Sequence, residues 1–275
     1  MRKHSDLFHT SHNISNCEIN GGTYNLRSHN DLPAGKSYII ESCSFTLTST
    51  YGGNGGSIYL TGTSANKELT SLHIKGCTFT LCTLKKVSAK LAGGAIYCQT
   101  VGSVEIIDSF FDTCGDLTNV YRGGGVDFES VSSPHVIGCT FISCKSTEDA
   151  GGLALFSCGN NVYDICTQGT SFISCECPNS SGAYEFQLNK CKICSSCLYC
   201  RCTSNGGGAS WIRFDRDYYF NEISFSLYHE NGYNIGKDLY FYDAETNIFF
   251  HSFTTSPGPD RVWTYKLISN TFNPN

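Results

Sequence analysis

The chain has 275 residues, of which only 16% are charged, with a net charge of −5 and a pI near 5.9. That balance supplies no basic surface for phosphates and argues against nucleic acid as a partner. No apolar run approaches the roughly 18 residues of a membrane-spanning helix, and the 28 glycines and 17 cysteines suit a β-rich chain with many tight corners.

Residues 1–30 open with Met1-Arg2-Lys3-His4-Ser5-Asp6 and then show neither the apolar core of a secretory signal peptide nor much strand pattern. They are expected to form an irregular N-terminal cover. Residues 31–245 carry a two-part repeat. Its first half is a glycine pair leading a short apolar strand. The copies are Gly55-Gly56-Ser57-Ile58-Tyr59-Leu60, Gly93-Gly94-Ala95-Ile96-Tyr97-Cys98 and Gly123-Gly124-Gly125-Val126-Asp127-Phe128. They continue as Gly151-Gly152-Leu153-Ala154-Leu155-Phe156, Ser181-Gly182-Ala183-Tyr184-Glu185-Phe186 and Gly207-Gly208-Ala209-Ser210-Trp211-Ile212. These begin 38, 30, 28, 30 and 26 residues apart.

The second half is an aromatic residue with cysteine three places on: Phe79/Cys82, Phe111/Cys114, Phe141/Cys144, Phe172/Cys175 and Tyr199/Cys202, preceded by Phe45 with Thr48. Between the halves lie short β-branched stretches such as Leu72-His73-Ile74, Val104-Glu105-Ile106-Ile107 and Pro134-His135-Val136-Ile137. No copy sustains the 3.6-residue period of a helix, so the unit is strand, turn, strand, turn. Such units stack only on their neighbours, which makes a solenoid. The fold class is all-β: a single-stranded right-handed parallel β-helix of about seven or eight coils spaced about 4.8 Å apart. Residues 246–275 hold Phe249, Phe250, Phe253, Trp263 and Tyr265 around Pro257 and Pro259. They are expected to fold over the last coil as a cap, because open strand edges invite aggregation.

Strand alternation assigns faces. The sixth column of the glycine-led copies (Leu60, Cys98, Phe128, Phe156, Phe186, Ile212) is uniformly apolar and should point inward, together with the fourth. The fifth (Tyr59, Tyr97, Asp127, Leu155, Glu185, Trp211) is mixed and should face out. Many cysteines also fall in columns. One lies two residues before the aromatic (Cys43, Cys77, Cys139, Cys197) and accepts Ser109 and Thr170; the other is Cys82, Cys114, Cys144, Cys175 and Cys202. Exchange with Ser and Thr points to buried thiols used as small side chains rather than to disulfides.

Gly93-Gly94-Ala95-Ile96 alternating with Phe141-x-x-Cys144 resembles the polymorphic outer-membrane protein type of right-handed β-helix repeat. The cysteine at the last position is similar to that of the cysteine-rich, trichomonad-type protist members. The resemblance spans roughly residues 40 to 245, closing at Gly236-Lys237-Asp238-Leu239-Tyr240-Phe241. It implies an adhesin-like, surface-displayed or secreted rod that engages a host or cell-surface protein or glycan, with no cofactor.

An alternative is a carbohydrate-active β-helix enzyme. Asp127 and Glu185 share the outward column two coils apart, about 9.6 Å by strand spacing, near the separation of an inverting carboxylate pair. Tyr59, Tyr97 and Trp211 in that column could stack on sugar rings. The run Cys191-x-x-Cys194-x-x-Cys197-x-x-Cys200 has metal-ligand spacing, but alternation sends ligands three apart to opposite strand faces. The basic cluster Lys85, Lys86 and Lys90 lies in the longest repeat and reads as a solvated loop.

Overall fold

The computed structural model describes residues 35–85, 90–158, 164–188 and 192–204, with strand segments outside them; side chains are described for 35–85, 90–158 and 167–185 and for 197, 201, 202 and 204. The chain is an all-β solenoid, 54% strand, built as a right-handed parallel β-helix. The described residues contain no α-helix, only a 3-10 turn at Lys67–Leu69, and no helix long and apolar enough to cross a membrane.

Three ladders run along the axis. The first stacks Ser37–Glu41, Ser71–Lys75, Ser103–Ile107 and Ser133–Ile137. The second stacks Ser44–Thr46, Thr78–Thr80, Phe110–Asp112 and Thr140–Ile142. Both join on the long strand Asp164–Ile173 and continue through Lys192–Cys200. The third, glycine-led ladder runs Ile58–Thr61, Ile96–Gln99, Val126–Glu129, Leu153–Cys158, Tyr184–Leu188, Ser210–Phe214 and Leu239–Asp243.

About four turns are formed, fewer than the seven or eight counted from the repeats. The side joining the second ladder to the glycine corner pairs only in short pieces, such as Ser49–Tyr51 with Thr83–Lys85 and Leu91–Ala92 with Val120–Arg122. Strand pairing extends past the closed turns at both ends. Within the expected N-terminal cover, Asn13–Ser15, Glu18–Asn20 and Leu26–Arg27 add parallel strands to the three ladders, so regular pairing starts earlier than the composition suggests; residues 1–12 lie outside the described residues. At the other end Phe249–Ser252 and Arg261–Tyr265 pair antiparallel to the last strands of their ladders. Phe253, Pro257 and Pro259 of the expected cap lie outside the described residues.

The interior is organised around one aromatic column. Phe45, Phe79, Phe111, Phe141 and Phe172 are fully buried, with successive ring centroids 4.7, 4.8, 4.5 and 4.9 Å apart, and the stack ends on Tyr184 at 5.7 Å. Facing it, the residues after the glycine corner are Ser57, Ala95, Gly125, Gly152 and Ala183, all small. A Cβ on Gly125 would stand 2.8 Å from the Phe141 ring.

One inward column differs from the sequence alignment. Val126 pairs with Leu153 and Phe128 with Leu155, so the fourth copy is shifted by one residue. The cause is at the corner: Ala150, at φ 47°, takes the left-handed position that Gly55, Gly93 and Gly123 hold in the other copies. Gly151-Gly152 therefore match Gly124-Gly125. Leu155 is interior, whereas Phe156 lies outside, half-buried beneath the Arg122 guanidinium at 4.1 Å.

The twelve cysteines whose side chains are described are all buried. In one column the Sγ of Cys82, Cys114, Cys144, Cys175 and Cys202 donates to the carbonyl of Phe45, Phe79, Phe111, Phe141 and Phe172 on the coil before. In the other, the backbone N–H of one coil donates to the side chain of the next: Cys43 N to Cys77 Sγ, Cys77 N to Ser109 Oγ and Cys139 N to Thr170 Oγ1. The column two residues before the aromatic thus requires a small side chain with a lone pair, which explains the interchange of Cys, Ser and Thr. Burial pushes the Cys98, Cys114 and Cys144 thiols up and carries Cys139 to about 12, so these groups stay protonated.

Two outcomes follow from this packing. Phe141→Ala should cost about 3–5 kcal/mol in urea unfolding, whereas Phe156→Ala should cost no more than about 2 kcal/mol, the scale of a cation–π contact. Thiol titration of the native chain should find few reactive groups, and titration after denaturation should find most of the 17. Rapid labelling of the native columns would contradict the packing.

Candidate functional site

The outward row of the glycine-led ladder brings the predicted binding and catalytic positions into one line. Pairing runs Tyr59, Tyr97, Asp127, Ala154, Glu185, Trp211 on successive strands. The one-residue shift places Ala154, not Leu155, between the two carboxylates. Tyr59 and Tyr97 stack at 5.7 Å with rings 10° from parallel, but Tyr97 is nearly buried and offers little face to a sugar. For Trp211 the backbone pairing is what is described.

Neither carboxyl is open. Asp127 has no exposed surface and is gripped by Arg122, whose Nε donates to Oδ2 at 2.6 Å. The same guanidinium donates to Glu129 Oε2 at 2.6 Å. Glu129 also accepts from Tyr97 Oη at 2.9 Å and Gln99 Nε2 at 3.3 Å. Glu185, 6% exposed, accepts a short hydrogen bond from Ser180 Oγ.

This arrangement arises locally. Arg122 is the residue before the glycine corner, and the turn through Gly123 folds its side chain back over the strand it precedes. Alternation puts Asp127 and Glu129 on the same face two residues apart, so one fork can hold both.

Burial pushes the Asp127 carboxyl up to about 6, partly offset by Arg122. Asp149, across the corner, is also raised by burial to about 6. Burial likewise works on Glu129, but the Arg122 and Tyr97 hydrogen bonds outweigh it and hold that carboxyl below the usual range. The chemistry present is an ion-pair cluster in which one guanidinium holds two carboxyls of its own coil, while Glu129 is tied to the preceding coil through Tyr97 and Gln99.

Sequence reasoning missed Arg122 and Glu129, although the signal was available in their spacing from the glycine pair and from Asp127. Of the other candidates, Cys197 is buried in the column two residues before the aromatic and donates to Thr167 O at 3.4 Å, an interior role. Cys194 and Cys200 lie on the strand Lys192–Cys200, and Cys191 is outside the described residues. Lys90 is not a lone loop charge: its Nζ donates to Tyr121 Oη at 2.9 Å. Lys86 lies outside the described residues.

The carboxyls of this cluster predict a pH profile. The folded chain holds the Asp127 and Asp149 protons more tightly than the unfolded chain, where carboxylates titrate near about 4. Their contribution to stability therefore falls as pH rises from about 4 to about 6. Glu129 acts oppositely, its contribution being lost as pH falls below the ordinary carboxylate range. Urea midpoints should rise between about pH 7 and about pH 5, and Asp127→Asn should flatten that rise. An unchanged slope in the variant would contradict the assignment.

Compared with known proteins, the chain matches no family model, no curated protein and no solved structure.

Proposed function

We propose that this chain is a structural or binding protein, an adhesin-like β-solenoid whose outer face engages a protein or glycan partner. The observation that carries the reading is the outer surface of the first and second ladders. Ile107 beside Ile137, Phe110 beside Thr140, and Ile142 beside Ile173 are all half-exposed on neighbouring strands. Half-exposed apolar side chains gathered on neighbouring strands mark a contact site more often than chance. At the adjoining corner Leu47 and Leu81 are 57% and 43% exposed in the left-handed conformation, φ 54° and 55°. Bulky residues there cost about 1–2 kcal/mol each and contribute little to the core. Other coils use Thr113, Ser143 and Ser174 at that corner. The resemblance of the repeats to surface β-helix proteins supports the same reading.

The runner-up, a carbohydrate-active enzyme, draws on Asp127 and Glu185 flanking only the Ala154 methyl. Against it stands the commitment of both carboxyls to internal partners.

One experiment separates them. The tagged chain is applied to intact cells and to immobilised protein and glycan panels, and a polysaccharide panel is assayed for new reducing ends or unsaturated products. Binding should be seen, and should fall at least about 10-fold in the Ile137→Lys, Ile142→Lys double variant at unchanged melting temperature, as expected for centrally placed apolar contacts. Polysaccharide cleavage abolished by Asp127→Asn or Glu185→Gln would sink the binding reading.

A further inference from the structure

The first ladder carries a row of side chains that neither the core nor the Arg122 clamp uses. Ser71–Lys75, Ser103–Ile107 and Ser133–Ile137 pair in register, and this puts His73, Glu105 and His135 at one position on three successive strands. Their neighbours Leu72, Ile74, Val104, Ile106 and Val136 are buried, so alternation turns all three outward, where each is half-exposed. His73 Nδ1 lies 2.8 Å from Glu105 Oε2, and these two side chains are 30% and 36% exposed. His135 flanks Glu105 from the opposite side.

Two imidazoles and one carboxylate are a donor set that suits zinc, which takes three protein ligands and leaves a fourth position open. We propose that His73, Glu105 and His135 form a site for a divalent transition ion of the zinc type on the exposed face of the solenoid. The fourth position points away from the sheet, to water or to a donor from another molecule.

Among the described residues no three such groups already converge on one point. Convergence needs side-chain rotation, not backbone movement. Each histidine nitrogen must lean toward Glu105 by the strand spacing less the sideways component of a metal–nitrogen bond at a tetrahedral angle, about 4.8 − 1.7 = 3.1 Å, within reach of an imidazole turning about χ1 and χ2. The strands themselves are fixed by in-register pairing on both sides, which presets the ligand spacing. The next outward positions hold Ser71, Ser103 and Ser133 on one side and Lys75, Ile107 and Ile137 on the other, none of which blocks the row.

The test uses Co2+ as probe, because its absorption reports its ligands. The full chain, kept reduced, is titrated with Co2+ and then with Zn2+ in competition. One Co2+ per chain should bind at micromolar ion, without a thiolate-to-cobalt charge-transfer band, and Zn2+ should displace it. His73→Gln and His135→Gln should each weaken binding at least about 10-fold, the lower end of what loss of even a supporting group does at metal sites. Glu105→Gln serves as an independent variant, and unchanged unfolding midpoints of the metal-free proteins show that the fold is kept. The proposal is overturned if Co2+ does not bind. It is equally overturned if the double histidine variant binds as well as the parent, or if a thiolate band places the ion on the cysteines.

Discussion

In-register stacking of parallel strands is the constraint from which the rest of this structure follows, and the phenylalanine column is where it is strongest. Strand spacing of about 4.8 Å and the preferred separation of offset-stacked rings nearly coincide. The rings of Phe45 through Phe172 therefore lie parallel at 4.5–4.9 Å without distorting the ladders that carry them. This match demands space on the opposite side of each coil. Ser57, Ala95, Gly125, Gly152 and Ala183 supply it, so the glycine half and the aromatic half of the repeat are two sides of one packing requirement.

Polar groups inside the solenoid are managed by the same repetition. At each corner the backbone leaves its ladder, and an N–H that fails to find a partner in a buried place costs about 1–3 kcal/mol. The small side chain of the next coil receives it. Cysteine, serine and threonine all meet that need, whereas alanine would fit the space and leave the donor unsatisfied. The second thiol column solves the complementary problem, each sulfur donating to the backbone carbonyl of the phenylalanine of the coil before. The cysteine richness of this chain thus follows from repetition: one local solution is copied once per turn.

The outer faces have diverged where the interior could not. On the glycine-led ladder, Arg122 draws Asp127 and Glu129 together and lies over Phe156, so Asp127, at a position that looks solvent-facing, is sealed from the surface. Among the described residues, the first and second ladders carry half-exposed isoleucines beside the histidine–glutamate row. A binding function is therefore best sought on those ladders, and the carboxylates Asp127 and Glu185 are better understood as groups held within their own coils by Arg122 and Ser180. Carboxyl spacing alone suggested a catalytic pair; burial, the Arg122 fork on Asp127 and the Ser180 hydroxyl on Glu185 explain the same residues without one.

The sequence by itself determined the fold class, because a repeat of about thirty residues with period-two apolar stretches can bury its side chains only by stacking on copies of itself. It also determined the columns of phenylalanine and cysteine, since those letters recur at fixed offsets. Tertiary structure decided what depends on register and cover. The left-handed turn at Ala150 moves Leu155 inside and Phe156 outside, and no letter count reveals it, because the glycine pair one residue later imitates the corner of the other copies. Whether Asp127 meets solvent was likewise undecidable from alternation, which assigns a face but not what lies on top of it. Arg122 reaches over that face only once the chain has turned through Gly123, and only the folded coil brings the two charges together.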